Sequence, residues 1–210
     1  MGAEQPAAPG RGLVIFLCAF YGGIWLWSAW QPGDRLAWLL ENILPTALAV
    51  ALLIGWRRRP LSATSCILLF LFIALHQIGA HYIYSEVPWG RSIGAAFGRQ
   101  RNDFDRLVHF SFGLLLFLPL REMLQAWLNP SQIKAGIGAI VLILAASALY
   151  EIMEMLVVLV VYPETGTAFL GLQGDIWDTQ TDMALAFLGG VLAFCGAGLA
   201  SAVRDRPQAG

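Results

Sequence analysis

Several acids and imidazoles in this chain stand where their surroundings make them expensive. His76, Gln77 and His81 fall inside one long apolar run, with Glu86 just beyond it. Asn102-Asp103-Phe104-Asp105-Arg106 opens another run, which carries His109. Glu151 and Glu154 interrupt a third, and Asp175, Asp178 and Asp182 precede the last. An ionisable side chain at the centre of a bilayer costs at least ~2.5–3.5 kcal/mol, so such groups face a cavity and carry function. Imidazoles with carboxylates form the N/O donor set of Zn²⁺, Mn²⁺ or Fe, whereas carboxylates with water alone suit Mg²⁺. The expected metal ligands are His76, His81, Asp105, His109, Glu151, Asp175 and Asp182. Glu154 or Asp178 is the expected general base, and Arg106 or Arg101 the expected partner of an anionic group. No H-E-x-x-H, EF-hand loop or P-loop is present, so this reading rests on the constellation alone.

Spacing sorts these residues further. Asp105 and His109 are four apart and Glu151 and Glu154 three apart, so each pair shares a helical face. His76 and His81 are five apart and diverge on a straight helix, unless Gly79 permits a distortion. Asp175, Asp178 and Asp182 form one stripe if their segment is helical, which Gly171 and Gly174 oppose. Simpler roles compete with chemistry. The histidines could be satisfied core residues, Asp103 and Asp105 could cap a helix, and Arg99, Arg101 and Arg106 could pair with the acids structurally.

The elements that must position these groups are membrane spans. The hydrophobic fraction is 58% and the charged fraction 13%, against ~45–50% and ~25% in a soluble domain. Crossing a ~30 Å hydrocarbon core takes ~20 apolar residues. Residues 12–30, 36–55, 61–84, 107–125, 135–161 and 183–203 meet that length. The expectation is therefore an all-α, polytopic membrane bundle of about six transmembrane helices. Residues 12–203 would form its single domain, between a disordered cytoplasmic leader at 1–11 and a cytoplasmic tail at 204–210. Gln31-Pro32-Gly33-Asp34, Arg57-Arg58-Arg59-Pro60 and Asn129-Pro130-Ser131 punctuate the joins. Ser28-Ala29-Trp30 is no A-x-A site, so no removed signal peptide is expected.

Orientation follows from the basic residues. With the N-terminus inside, Arg11, Arg57, Arg58, Arg59, Arg121, Lys134, Arg204 and Arg206 are cytoplasmic, against Arg35, Arg91, Arg99, Arg101 and Arg106 outside. That excess favours both termini in the cytoplasm. In this frame His76 lies ~21 Å and Glu151 ~24 Å along ascending helices, while His109 lies ~6 Å down a descending one and Asp182 at the mouth of another. All four reach one level near the outer face. Cys18, Cys66 and Cys195 lack metal-type spacing and read as inert thiols. A net charge of −1 leaves no basic footprint for nucleic acid, and oligomeric state is open.

The segments His76–Tyr82, Asn102–Phe110, Tyr150-Glu151 with Glu154, and Gly174–Met183 resemble the YjdF-type family of bacterial inner-membrane proteins. The resemblance covers most of the chain and implies a fold and a location, since that family has no established activity. A shorter stretch is similar to VanZ-like membrane proteins. Their D-K-x-x-H-F signature is matched by Asp105, Arg106, His109 and Phe110, with Arg for Lys, and their later acid and Gly-containing helix by Asp182, Gly189 and Gly190. This resemblance implies an envelope role linked to glycopeptide-antibiotic resistance, although this chain has more spans and extra histidines. Three functions stay open at this point. They are a metal-dependent enzyme acting on a lipid or lipid-linked envelope substrate, a non-catalytic structural or envelope-stress protein, and a cation or proton transporter.

Overall fold

A computed structural model describes residues 8–47, 50, 61–161 and 173–204. Its long helices are α1 (Arg11–Ala29), α3 (Ala63–Tyr82), α5 (Phe104–Leu128), α6 (Gln132–Val161) and α7 (Asp178–Arg204). Two short helices, α2 (Arg35–Glu41) and α4 (Gly90–Ala96), and a 3₁₀ turn (Tyr84–Glu86) lie between them. The five long helices are each long and apolar enough to cross a membrane. Of the expected span 36–55, residues 35–41 and 43–47 are helical, and the remainder lies largely outside the described residues. The expected leader and tail fall mostly outside them as well.

The helix ends follow from local chemistry. Asp34 caps α2, its carboxylate accepting from the amides of Leu36 at 2.7 Å and Ala37 at 2.9 Å. Ser62 caps α3 by accepting from the Ser65 amide at 3.1 Å. Asn129 ends α5 in the left-handed region at φ 48°, which its short polar side chain tolerates. The helices exceed the apolar runs at several ends: α5 begins at Phe104 and α7 at Asp178. In these polar first turns Phe104, Asp105, Arg106 and Asp178 are buried against the bundle, so the turns need no apolar sequence to be helical.

Burial is inverted relative to a soluble domain. Ile15, Phe16, Leu149, Leu159 and Val160 are exposed, whereas Glu41, His76, Asp105, Arg106, His109, Glu151, Asp178 and Asp182 are buried. Apolar surface of this extent belongs against lipid. Helices α5, α6 and α7 form the tightest unit, and α3 packs on α5 with α1 outside it. Phe117, Ala139, Ile143 and Ala186 fill the middle of the three-helix unit, backed by Phe112, Leu124 and Phe194. A second apolar cluster, Val87, Phe104 and Val108, joins α3, the 3₁₀ turn and α5. Between them, at the end where α5 and α7 begin, lie the ionisable residues.

Candidate metal centre and its arginine-lined mouth

Two helices start, and one arrives, at the same place. Asp105 and His109 lie in the first turns of α5, Asp182 in the second turn of α7, and Glu151 in the last third of α6. Since α6 runs opposite to the other two, Glu151 must come late in its helix to meet residues that come early in theirs. One ligand atom from each of Asp105, His109 and Asp182 lies within 4.8 Å of the others. His109 Nε2 is 3.3 Å from Glu151 Oε1 and 3.6 Å from Asp105 Oδ1. Its other nitrogen, Nδ1, is 3.3 Å from Ser147 Oγ, which fixes the ring from the α6 side. Thr179 hydrogen-bonds the Glu151 carboxylate from α7.

Two oxygens in this group are orphaned. Glu151 Oε1 and Asp182 Oδ1 are buried with no hydrogen-bond partner, and buried carboxylates are ordinarily satisfied. Donors on a common cation at ~2.0–2.2 Å stand about 3.4 Å apart in a tetrahedron; His109 Nε2 and Asp105 Oδ1 are 3.6 Å apart, and the ligand atoms of Asp105, His109 and Asp182 all lie within 4.8 Å of one another. Two carboxylates and one imidazole are donor types that a divalent ion takes. The set holds one imidazole rather than the three expected from sequence, so oxygen dominates it and Mn²⁺, Fe²⁺ or Mg²⁺ fits as well as Zn²⁺.

Above the acids is a lattice of arginines. Arg101 donates to both Asp178 oxygens, at 2.5 and 3.0 Å. Arg106 pairs with Asp175 and, at 3.2 Å, with Asp178. Asp103, at the start of α5, makes no side-chain cap and instead accepts from Arg99 Nε at 2.5 Å, with Arg101 Nε 3.2 Å away. The amide of Trp177 and the guanidinium of Arg106 hold the Asp175 carboxyl below its usual pKa. Gln173 and Asn102 exchange two 2.8 Å hydrogen bonds, Gln173 Nε2 donating to the Asn102 carbonyl and the Asn102 amide to Gln173 Oε1. This pairing ties the segment before α7 to the start of α5.

The remaining expected ligands go elsewhere. His76 belongs to a neighbouring cluster, where Nδ1 is 2.5 Å from the Tyr84 hydroxyl and Nε2 is 3.0 Å from the Glu41 carbonyl. Tyr150 donates to Glu41 in the same cluster. His81 turns away altogether, with Nδ1 3.1 Å from the Ser28 carbonyl and its ring 4.3 Å from that of Trp27. The distortion anticipated at Gly79 does not occur, because α3 continues through it to Tyr82. Gly79 instead makes room for the Tyr84 ring, which an added Cβ would meet at 2.6 Å. Asp175 and Asp178 are paired with Arg101 and Arg106. Glu154 lines a fissure between α2 and α6 with Glu41, Leu44 and Tyr150.

Three participants were absent from the sequence expectations. Glu41 is an acid in the run Leu39-Leu40-Glu41-Asn42-Ile43-Leu44, the same signal that singled out Glu151. Tyr84 and Tyr150 carry no such signal, since tyrosine is common near membrane interfaces. A further polar knot docks α1, in which Ser28 donates to Gln77 Oε1 at 2.6 Å and Gln77 donates to Asn42 at 2.8 Å.

Architecture and site together define a multi-pass helical membrane protein with a buried carboxylate–imidazole centre. A family model described as "Predicted membrane protein (DUF2238)" matches residues 13–205. The chain belongs to that family. It is 36% identical over 180 residues to "Inner membrane protein YjdF" of Escherichia coli (strain K12), covering 84% of this chain and 82% of the relative. No solved structure matches it.

Proposed function

We infer that the chain is an inner-membrane enzyme in which Asp105, His109 and Asp182 hold a divalent cation and Glu151 serves as general base. The observation that carries this reading is the pair of orphaned oxygens, Glu151 Oε1 and Asp182 Oδ1, beside His109 Nε2. Three protein ligands leave a coordination position for water, which such a cation would acidify. Glu151, with one oxygen held by Thr179 and the other 3.3 Å from His109 Nε2 without a hydrogen bond, is suited to take that water's proton. Asp105 keeps 12% side-chain exposure and adjoins Arg106, which lines the mouth. The substrate class this placement favours is a lipid or lipid-linked envelope compound with its reacting bond just below the head groups. Location in the inner membrane is supported by the relative's name, and a periplasmic mouth by the excess of Lys and Arg on the opposite side.

Conduction is the weaker alternative. The packed cluster of Phe117, Ala139, Ile143 and Ala186 lies below the centre, where an ion path would need polar groups. Metal analysis of detergent-purified protein tests the proposal. Wild type should carry a divalent metal in stoichiometric amount and melt at lower temperature with chelator. Asp182→Asn should lose the metal, whereas Glu151→Gln should keep it and lose turnover. Metal-free wild type whose melting ignores both chelator and added Mn²⁺ or Zn²⁺ removes the reading.

A further inference from the structure

Next to the centre, an open cleft of about 580 Å³ is walled by Arg91, Arg99, Arg101 and Arg106, with Gln100, Gln173 and a single acid, Asp175. Asp103 and Asp178 pair with the arginines, giving four guanidiniums to three carboxylates on this cleft among the described residues. Arg91 is exposed and has no carboxylate partner among the described residues. Arg99 is 42% exposed and commits its Nε to Asp103, so its terminal N–H groups stay available. Guanidinium forks of this kind match phosphate oxygens.

Asp175 explains how the buried arginines are kept in the meantime. Its Oδ2 sits on Arg106 and 3.5 Å from Arg101 Nη1, while its Oδ1 accepts from the Trp177 amide at 2.9 Å. It therefore stands where an oxygen of an incoming anion would bridge the two guanidiniums.

We propose that this cleft binds a phosphate monoester or diester, gripped by Arg91 and Arg99, with Asp175 as the built-in competitor for Arg101 and Arg106. The inference rests on the enzymatic reading above and names its substrate class, a phosphate-bearing amphiphile. Arg106 precedes His109 by three residues on α5 and Asp178 precedes Asp182 by four on α7. Arg106 thus lies between the ligands Asp105 and His109 along α5, and the cleft adjoins the cation ligands within about one helical turn, ~4.5–6 Å. A phosphate held there would otherwise be repelled by Asp105, Glu151 and Asp182, and a bound cation removes that repulsion.

The test uses full-length protein in phosphatidylcholine nanodiscs, titrated with inorganic phosphate and pyrophosphate, and in parallel nanodiscs containing phosphatidic acid, with bound lipid counted by native mass spectrometry. Arg91→Gln combined with Arg99→Gln should weaken binding about tenfold or more, and Asp175→Asn should tighten it several-fold. Binding of the inorganic anions alone upholds the cleft as a site for soluble phosphate, and enrichment of phosphatidic acid alone upholds it as a head-group site. Binding of neither probe, or wild-type affinity in both charge variants, overturns the proposal. Repeating the titration on chelator-treated protein separates the two claims. Anion binding by wild type that holds no metal as purified and takes up none from added Mn²⁺ or Zn²⁺ leaves the cleft and removes the centre, whereas a metal-loaded protein blind to both probes does the reverse.

Discussion

At the scale of the residue, His109 is the hinge of the site because its two nitrogens answer to different elements. Nε2 faces Asp105 and Glu151, and Nδ1 faces Ser147 on α6. If Nδ1–H donates to Ser147 Oγ, the Nε2 lone pair points among the acids, which is the tautomer a metal requires. Ser147 is buried and removed from the carboxylates, so its loss should not unfold the bundle. Ser147→Ala is expected to lower metal affinity about tenfold while leaving the melting temperature of the chelator-treated protein unchanged. Competition with a metal-binding dye measures the first and differential scanning fluorimetry the second. Equal loss of stability with and without metal would reduce Ser147 to a packing residue. Ser147 was legible in the sequence only as a polar group in an apolar run, because its partner lies 38 positions away. His76 and His81 teach the converse. Residue type nominated them as ligands, yet Tyr84, Glu41 and Ser28 satisfy them locally, and no spacing rule reveals partners that arrive from other helices.

At the scale of the element, the centre depends on how closely α5 approaches α7. A Cβ on Gly113 would stand 1.8 Å from the Ala186 carbonyl oxygen, and one on Gly189 would stand 2.3 Å from that of Phe110. The two backbones touch there, as small residues allow in membrane bundles. Both glycines lie one to two turns below the ligands His109 and Asp182, so a wedge between them would part the ligands as well. Gly113→Val is expected to destabilise the protein by about 3 kcal/mol or more and to abolish stoichiometric metal binding. Gly196→Val, whose added Cβ would have nothing within 4 Å, should do neither. Size-exclusion profiles and melting of the two variants in detergent check the contrast. The span positions were legible from apolar length, because lipid imposes it. What was not legible is where helices extend past lipid: Phe104–Arg106 and Asp178–Asp182 are helical because partners in the bundle cover their polar turns. Gly174, at φ 87°, ends the acid stripe just before α7, so Asp175 lies in a turn off the helical face that Asp178 and Asp182 share.

At the scale of the whole molecule, charge is sorted along the bundle as well as from outside to inside. The arginine-lined cleft, the ligand cluster and the Asn102–Gln173 pairing all occupy the end where α5 and α7 begin, and the apolar cluster around Phe117 and Ile143 separates them from the other end. A site built this way serves one face of the membrane. Lys134, near the start of α6, and Gln100, on the cleft wall, therefore mark opposite faces. In a background with Cys18, Cys66 and Cys195 replaced by Ser, Gln100→Cys should react with a membrane-impermeant maleimide in cells whose outer membrane has been permeabilised. Lys134→Cys should react only after the inner membrane is broken. The reverse pattern would put the cleft in the cytoplasm, where a substrate would come from the inner leaflet. Labelling of Gln100→Cys should also slow when phosphate or phosphatidic acid occupies the cleft, while that of Ile176→Cys, whose side chain projects outward at 83% exposure, should not. One reagent thus reports both the face of the membrane that the mouth opens on and whether an anion has entered it.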